Sequence, residues 1–208
     1  MMRDTPSNCS NLTWAHAEVT ADERQARLNP NPMTFWLTGL SGSGKSTLAF
    51  RLEKALLASN RAAFVLDGDN IRSGLNRDLA FSPADRAENI RRTAEVAWLM
   101  NEAGVSVVVS LISPTDEDRS RAREIIGGDR FREIYLSTPL AVCEARDPKG
   151  LYRKARAGQI AEFTGISAPY QAPKNPDVTL DTSSLSVEQC VANVLALLDV
   201  SLETSVAP

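Results

Sequence analysis

Gly39-Leu40-Ser41-Gly42-Ser43-Gly44-Lys45-Ser46 fits the pattern G-x-x-x-x-G-K-[ST], and Thr47 extends it. Glycines in such a loop let the backbone turn its N–H groups inward around a phosphate, and a helix opening at the loop's end aims its positive pole at the same point. Lys45 would reach the β- and γ-phosphates, and Ser46 would offer an oxygen to Mg²⁺. A flexible Gly/Ser linker has a similar composition. This run, however, lies between an apolar strand and an amphipathic helix, the context that makes the pattern a nucleoside-triphosphate site. A second cluster, Asp67-Gly68-Asp69-Asn70, ends another strand-like run, and in open α/β sheets ligands gather at the carboxyl ends of strands. Its two acids could hold Mg²⁺ and take a proton from an attacking hydroxyl. The plainer reading is that they cap a helical turn over residues 71–75.

The elements around these clusters follow from periodicity. MTFWLT (33–38) reads as the strand before the phosphate loop, and STLAFRLEKALLAS (46–59) is apolar at helical spacing. AAFVLD (62–67) is the second strand. Ser82-Pro83-Ala84-Asp85 supplies an N-cap, a first-turn proline and a first-turn acid for a helix running to about Ala103, where Gly104 closes it. VSVVVSLI (105–112) is β-branched without alternation, as expected of a strand covered on both faces. A polar helix over 116–126, the strand FREIYLS (131–137) and a short helix from Pro139 come next. A basic stretch over 146–159, an irregular stretch over 163–177, the short strand DVTLDT and a helix over 186–200 capped by Ser186 complete the chain. This alternation predicts an α/β, P-loop NTPase-like three-layer fold with a mainly parallel central sheet. Residues 1–32 read as an N-terminal arm with a short helix near Thr20–Leu28, Thr20 and Glu23 forming a capping box. Residues 33–208 read as one kinase domain with a basic lid around 146–165.

Composition narrows the class. The 208 residues carry a net charge of −3, so the general attraction of basic proteins to phosphate backbones is missing and nucleic acid is not an expected partner. Three scattered cysteines, Cys9, Cys143 and Cys190, make neither a disulfide framework nor a zinc knuckle. No apolar run is long enough to span a bilayer, and the first residues lack the apolar core of a secretory leader. A cytoplasmic protein without membrane contact is expected. GTP readers of the common kind share an N-K-x-D motif. Here Lys174-Asn175-Pro176-Asp177 is scrambled, which favours a small-molecule kinase.

Three longer runs then carry a resemblance: DGDNIRSGLNRDLAFSPADRAENIRRTAEVAWLM from Asp67, LISPT from Leu111, and CEARDPKGLYRKARAGQIAEFTG from Cys143. They resemble the adenylyl-sulfate kinase family, over nearly the whole span from Asn11 to Leu198. The resemblance implies an Mg²⁺-dependent homodimer that uses ATP to phosphorylate the 3′-hydroxyl of adenosine 5′-phosphosulfate in sulfate assimilation, with a sulfurylase as a possible further partner. Asp69 would be the base. Arg72, Arg86 and Asn89 would hold the nucleotide sulfate, and Phe81 and Phe163 would sandwich its adenine. The helical spacing of Arg86 and Asn89 agrees, since residues three apart share a face. Arg146 would stack on the ATP adenine, and Lys149 would meet the substrate or the moving phosphoryl group. Ile112 and Leu151 join the substrate-binding set by the same likeness. Lys45 and Asp69 are the catalytic residues expected, with Ser46 and Asp67 toward the metal.

Ser113 follows the strand over 105–111 and also belongs to the catalytic and substrate-binding set. Bacterial family members are commonly described with a phosphoserine intermediate at this serine. Direct in-line transfer with Asp69 as base needs no covalent stop, and the one histidine, His16, lies in the arm, so a substrate contact is the expectation for Ser113. The chain departs from the family pattern at Ala80, Thr115 and Gln171, beside rather than on the expected catalytic groups. Two alternatives compete: a P-loop kinase of another small hydroxyl substrate, and a non-catalytic regulatory domain that binds the sulfated nucleotide.

Overall fold

A computed structural model describes residue 15 and residues 17–29 and 31–203, with the helix but not the side chains of 199–203. Cys9, His16 and the first fourteen residues of the expected arm lie outside the described residues. The elements run α1 (Ala21–Leu28), β1 (Thr34–Gly39), α2 (Lys45–Ala58), β2 (Ala63–Asp67), α3 (Gly68–Ser73), α4 (Pro83–Glu102), β3 (Ser106–Ser110), α5 (Asp116–Ile126), β4 (Phe131–Leu136), α6 (Leu140–Arg146), α7 (Leu151–Arg156), β5 (Val178–Leu180) and α8 (Val187–Glu203). The five strands form one sheet in the order β2-β3-β1-β4-β5, and every pairing is parallel.

Alternation along β1 sorts side chains to the two faces of this sheet. Phe35 and Leu37 join Val108, Ile134 and Leu136 under α2 and α8, where Leu48, Leu52, Leu56 and Val194 close the layer. Trp36 points the other way, with Val107, Val109 and Phe131, under Ile90 and Ala94 of α4 and Ala122 and Ile126 of α5. Burial on both faces explains the unbroken apolar runs, and each such Leu or Phe contributes roughly 1.5–3 kcal/mol. The three layers expected from sequence are therefore present.

Local signals set the ends of the elements. Thr20 and Glu23 form the expected capping box on α1, and Ser82 caps α4 by accepting from the Asp85 amide. The arm helix leads onto the body where Asn29 Nδ2 donates to Ser106 Oγ at 2.8 Å. Three features near the site differ from expectation. β3 stops at Ser110, because the chain turns at Ser113, whose φ is +39°. α3 begins at Gly68 rather than near residue 71, since Asp67 caps it through the Asp69 amide. The basic stretch also contains a helix, α7, with a small core of its own: Cys143, Tyr152, Ala155 and Phe163, against Leu40 of the phosphate loop.

Candidate active site

The phosphate loop links the end of the central strand β1 to α2. Gly42 and Gly44 have φ of +75° and +96°, a region that side chains rarely adopt, and a Cβ on Gly42 would sit 2.8 Å from the Cys143 carbonyl oxygen. Gly44 is the N-cap of α2, and no side chain caps that end, so its first amides face the loop's concavity under the positive pole of the helix. Lys45 is buried, and its Nζ donates to the carbonyls of Gly39 (2.8 Å) and Leu40 (2.7 Å). Burial pushes its ammonium down to about 8. Ser46 Oγ donates to Asp67 Oδ2 at 2.7 Å, so the two expected metal-side residues already touch.

β2 delivers the acid cluster to the same end of the sheet. Asp67 is buried as the cap of α3, whereas Asp69 rides exposed on the first turn of that helix and forms an ion pair with Lys149 from the lid. Arg72, one helical turn on, donates to the carbonyls of Leu79 and Ala80 and stands over the Phe81 ring, 4.5 Å from its centroid. Phe81 is 63% exposed. Ala80 has no positive φ, so this departure from the family pattern strains nothing.

Arg86 spans from α4 to the lid. Its guanidinium donates to the Phe81 carbonyl (2.8 Å), Thr164 Oγ1 (3.2 Å) and the Glu162 carbonyl (2.9 Å). Burial pushes the Arg72 and Arg86 guanidinium groups down from their usual value. Asn89, one turn below Arg86, is buried and accepts from Asn76 Nδ2 at 3.0 Å.

These groups line one cavity of about 1060 Å³. Ser41, Gly42, Gly44, Lys45, Ser46 and Thr47 form one wall, with Arg146 and Thr182. Asp69, Arg72, Phe81, Arg86, Asn89 and Phe163 form another, with Ile112, Ser113, Lys149 and Leu151 between them. The volume reaches the top of the usual range for a single drug-sized ligand.

Two expected residues are placed differently from their simple picture. Phe163 reaches the cavity but is only 7% exposed, packed edge-on against Tyr152 at 5.0 Å, so it is a wall rather than a free ring. Ser113 is 2% exposed, and its hydroxyl accepts from Trp36 Nε1 at 3.1 Å, which draws it toward the sheet core rather than toward a nucleophilic role. Arg146 bridges the phosphate loop to the end of β5, donating to the carbonyls of Gly42 and Thr182 and to Thr182 Oγ1.

Several contributors were not expected. Thr182 donates to the Ser43 carbonyl at 2.8 Å, and Ser110 Oγ lies 3.4 Å from Ser46 Oγ. Both stand at the carboxyl ends of strands, the signal that could have found them. Arg119, 3% exposed on α5, donates to the carbonyls of Ser113 and Gln171 at 2.7 Å each and pairs with Asp116 and Glu133. Gln171 in turn accepts from the Asp116 amide, and Thr115 caps α5, so both remaining departures sit in this staple behind the Ser113 turn.

A family model described as adenylylsulphate kinase matches residues 31–181. An adenylyl-sulfate kinase of Staphylococcus epidermidis is 50% identical over 192 residues, 92% of this chain and 96% of that one. One from Marinobacter nauticus is 49% identical over 91% and 95% of the two chains. Among solved structures, the Mycobacterium tuberculosis APS kinase CysC in complex with AMPPNP and APS is 52% identical, with a TM-score of 0.78 over 81% of this chain and 98% of that one.

Proposed function

The chain belongs to the adenylylsulphate kinase family, and from that premise we propose how its own residues transfer the ATP γ-phosphoryl group to the 3′-hydroxyl of adenylyl sulfate. The observation that carries the reading is the single cavity, with a triphosphate cradle on one wall and a base, two guanidinium groups and two phenyl rings on the other. The products are 3′-phosphoadenylyl sulfate and ADP. The kinase domain read over residues 33–208 carries this chemistry, and the described end of the arm read over residues 1–32 meets it where Asn29 donates to Ser106.

ATP lies with its phosphates on the amides of the loop and of α2, and Arg146 faces its adenine. Adenylyl sulfate lies opposite, its adenine between Phe81 and Phe163 and its anionic groups toward Arg72, Arg86 and Asn89. Ile112, Ser113 and Leu151 complete the pocket. Such stacking is worth about 1–3 kcal/mol per base. Asp69 accepts the 3′-hydroxyl proton. The freed oxygen bonds to the γ-phosphorus as the bond from that phosphorus to the β–γ bridging oxygen breaks, and the electron pair leaves with ADP. Lys45 turns from the loop carbonyls to the phosphates, and Lys149 brings a second cation beside the base, where charge spreads in the transition state.

Mg²⁺ fits the donor set on the loop side. Ser46 and Asp67 bring one hydroxyl and one carboxylate together, the few protein oxygens this ion uses when phosphates and water supply the rest. Bound there, it would neutralise charge on the β- and γ-phosphates. Closure of the 146–165 segment would exclude water and suppress ATP hydrolysis.

The family resemblance also supports a homodimer and contact with a sulfurylase, which sedimentation alone and with that partner would test. Among the described residues no helix is long and apolar enough to cross a membrane. The deciding experiment supplies γ-labelled ATP with adenylyl sulfate and determines the position of the label. Label on the 3′-oxygen supports the reading, whereas transfer preferring a non-sulfated acceptor would refute it.

A further inference from the structure

Tyr152 lies in the first turn of α7, the helix of the lid, yet it contacts one residue from each wall of the cavity, Ser41 and Phe163. It is 1% exposed. Its hydroxyl donates to the Ser41 carbonyl at 2.9 Å, and its ring meets Phe163 at 5.0 Å with the planes 78° apart. The first contact does not follow from its neighbours in sequence, since Ser41 lies 111 residues away.

The two contacts do different work. In a trans peptide the C=O and the following N–H point in opposite directions. Holding the Ser41 oxygen on the lid side therefore turns the Gly42 N–H away from the lid. The loop has little other freedom there, because a Cβ on Gly42 would meet the Cys143 carbonyl and Leu40 is packed into the same cluster as Tyr152. The ring, for its part, packs edge-on against Phe163, which lines the cavity while Tyr152 does not. Asp147 Oδ1 fixes the residue by accepting from the Tyr152 amide at 3.0 Å.

We propose that Tyr152 is a positioning residue with two separable contacts: its hydroxyl sets the phosphate loop for ATP, and its ring sets the Phe163 wall for the adenine of adenylyl sulfate. This rests on the two-nucleotide reading above. Burial also holds the phenol protonated, so the hydroxyl remains a donor.

Two variants separate the contacts. Tyr152→Phe keeps the ring and removes only the hydroxyl, so the KM for ATP should rise about fivefold, the effect of one net hydrogen bond, with the KM for adenylyl sulfate unchanged. Tyr152→Met fills the volume without a ring and should raise both. A phenylalanine variant that alters neither KM, or raises both by the same factor, would overturn the proposal. Should the methionine variant fail to fold, Tyr152→Leu reads the ring half and must raise the KM for adenylyl sulfate as well as that for ATP. Calorimetric affinity for AMPPNP in Tyr152→Phe tests the loop half without any acceptor. A wild-type chain that leaves adenylyl sulfate unphosphorylated would therefore sink the function reading, whereas an unchanged AMPPNP affinity in this variant would sink the Tyr152 proposal.

Discussion

Lys45 makes a quantitative case. Burial against two carbonyl groups brings its ammonium to about 8, from 10.5 in an open chain. Triphosphate in the cradle would replace carbonyl dipoles with full negative charge and restore the proton. At pH 8.5 about three-quarters of the lysines are neutral before ATP binds, and at pH 7 about one-tenth, so ATP binding should take up about 0.75 and about 0.1 proton respectively. Calorimetry in two buffers of different ionisation enthalpy reads this number directly. Lys45→Met should bind ATP more weakly and show no comparable uptake at pH 8.5. The same shift acts on stability. Between pH 8 and 10.5 the unfolded chain holds a proton on this lysine that the folded chain has released, so the stability of wild type relative to Lys45→Met should rise with pH across that window, by up to about 3 kcal/mol, while the buried Cys143 and Tyr152 groups act on both chains alike. Equal uptake in wild type and Lys45→Met at pH 8.5, or a wild-type stability that falls relative to Lys45→Met between pH 8 and 10, would refute the buried-ammonium argument.

Other outcomes follow from single contacts. Asp69→Asn should keep AMPPNP affinity while kcat falls by at least about a hundredfold, the usual weight of a general base, and unchanged turnover would remove Asp69 from that role. Gly42→Ala forces a Cβ to within 2.8 Å of the Cys143 carbonyl at a φ of +75°, so it should lose more than about 1 kcal/mol of stability and most ATP affinity; a thermal melt and a nucleotide titration check both. Phe81→Ala removes a largely exposed ring, so the melting temperature should barely move, while the KM for adenylyl sulfate rises about 5- to 150-fold, the equivalent of 1–3 kcal/mol of stacking.

Much of this architecture can be read in the chain. The loop 39–46 carries its own geometry, since its glycines and the Lys-Ser pair act within eight consecutive residues. Strands such as 105–112 and the helix opened by Ser82 and Pro83 are written as local composition. What escapes is whatever depends on distant partners. Beyond the end of β3 Arg119 holds the Ser113 carbonyl, and that arginine looks like any charge on a polar helix until Gln171, 52 residues on, arrives beside it. The family resemblance makes the ring of Phe163 a stacking platform, but it does not tell that Tyr152 packs against it. The lid's small core is similarly hidden, because Leu40 contributes to it from inside a loop that sequence assigns wholly to phosphate.

The order of the strands has a consequence for how such an enzyme can diversify. The cradle stands on β1, with neighbours on both sides, while Asp67, Asp69 and Arg72 hang from β2, which borders the sheet and has β3 as its one neighbour. A chimera that exchanges residues 68–82 disturbs no strand pairing and leaves the donor cradle whole. Selection can thus vary the β2 side of the acceptor pocket while the cradle that holds ATP is inherited intact.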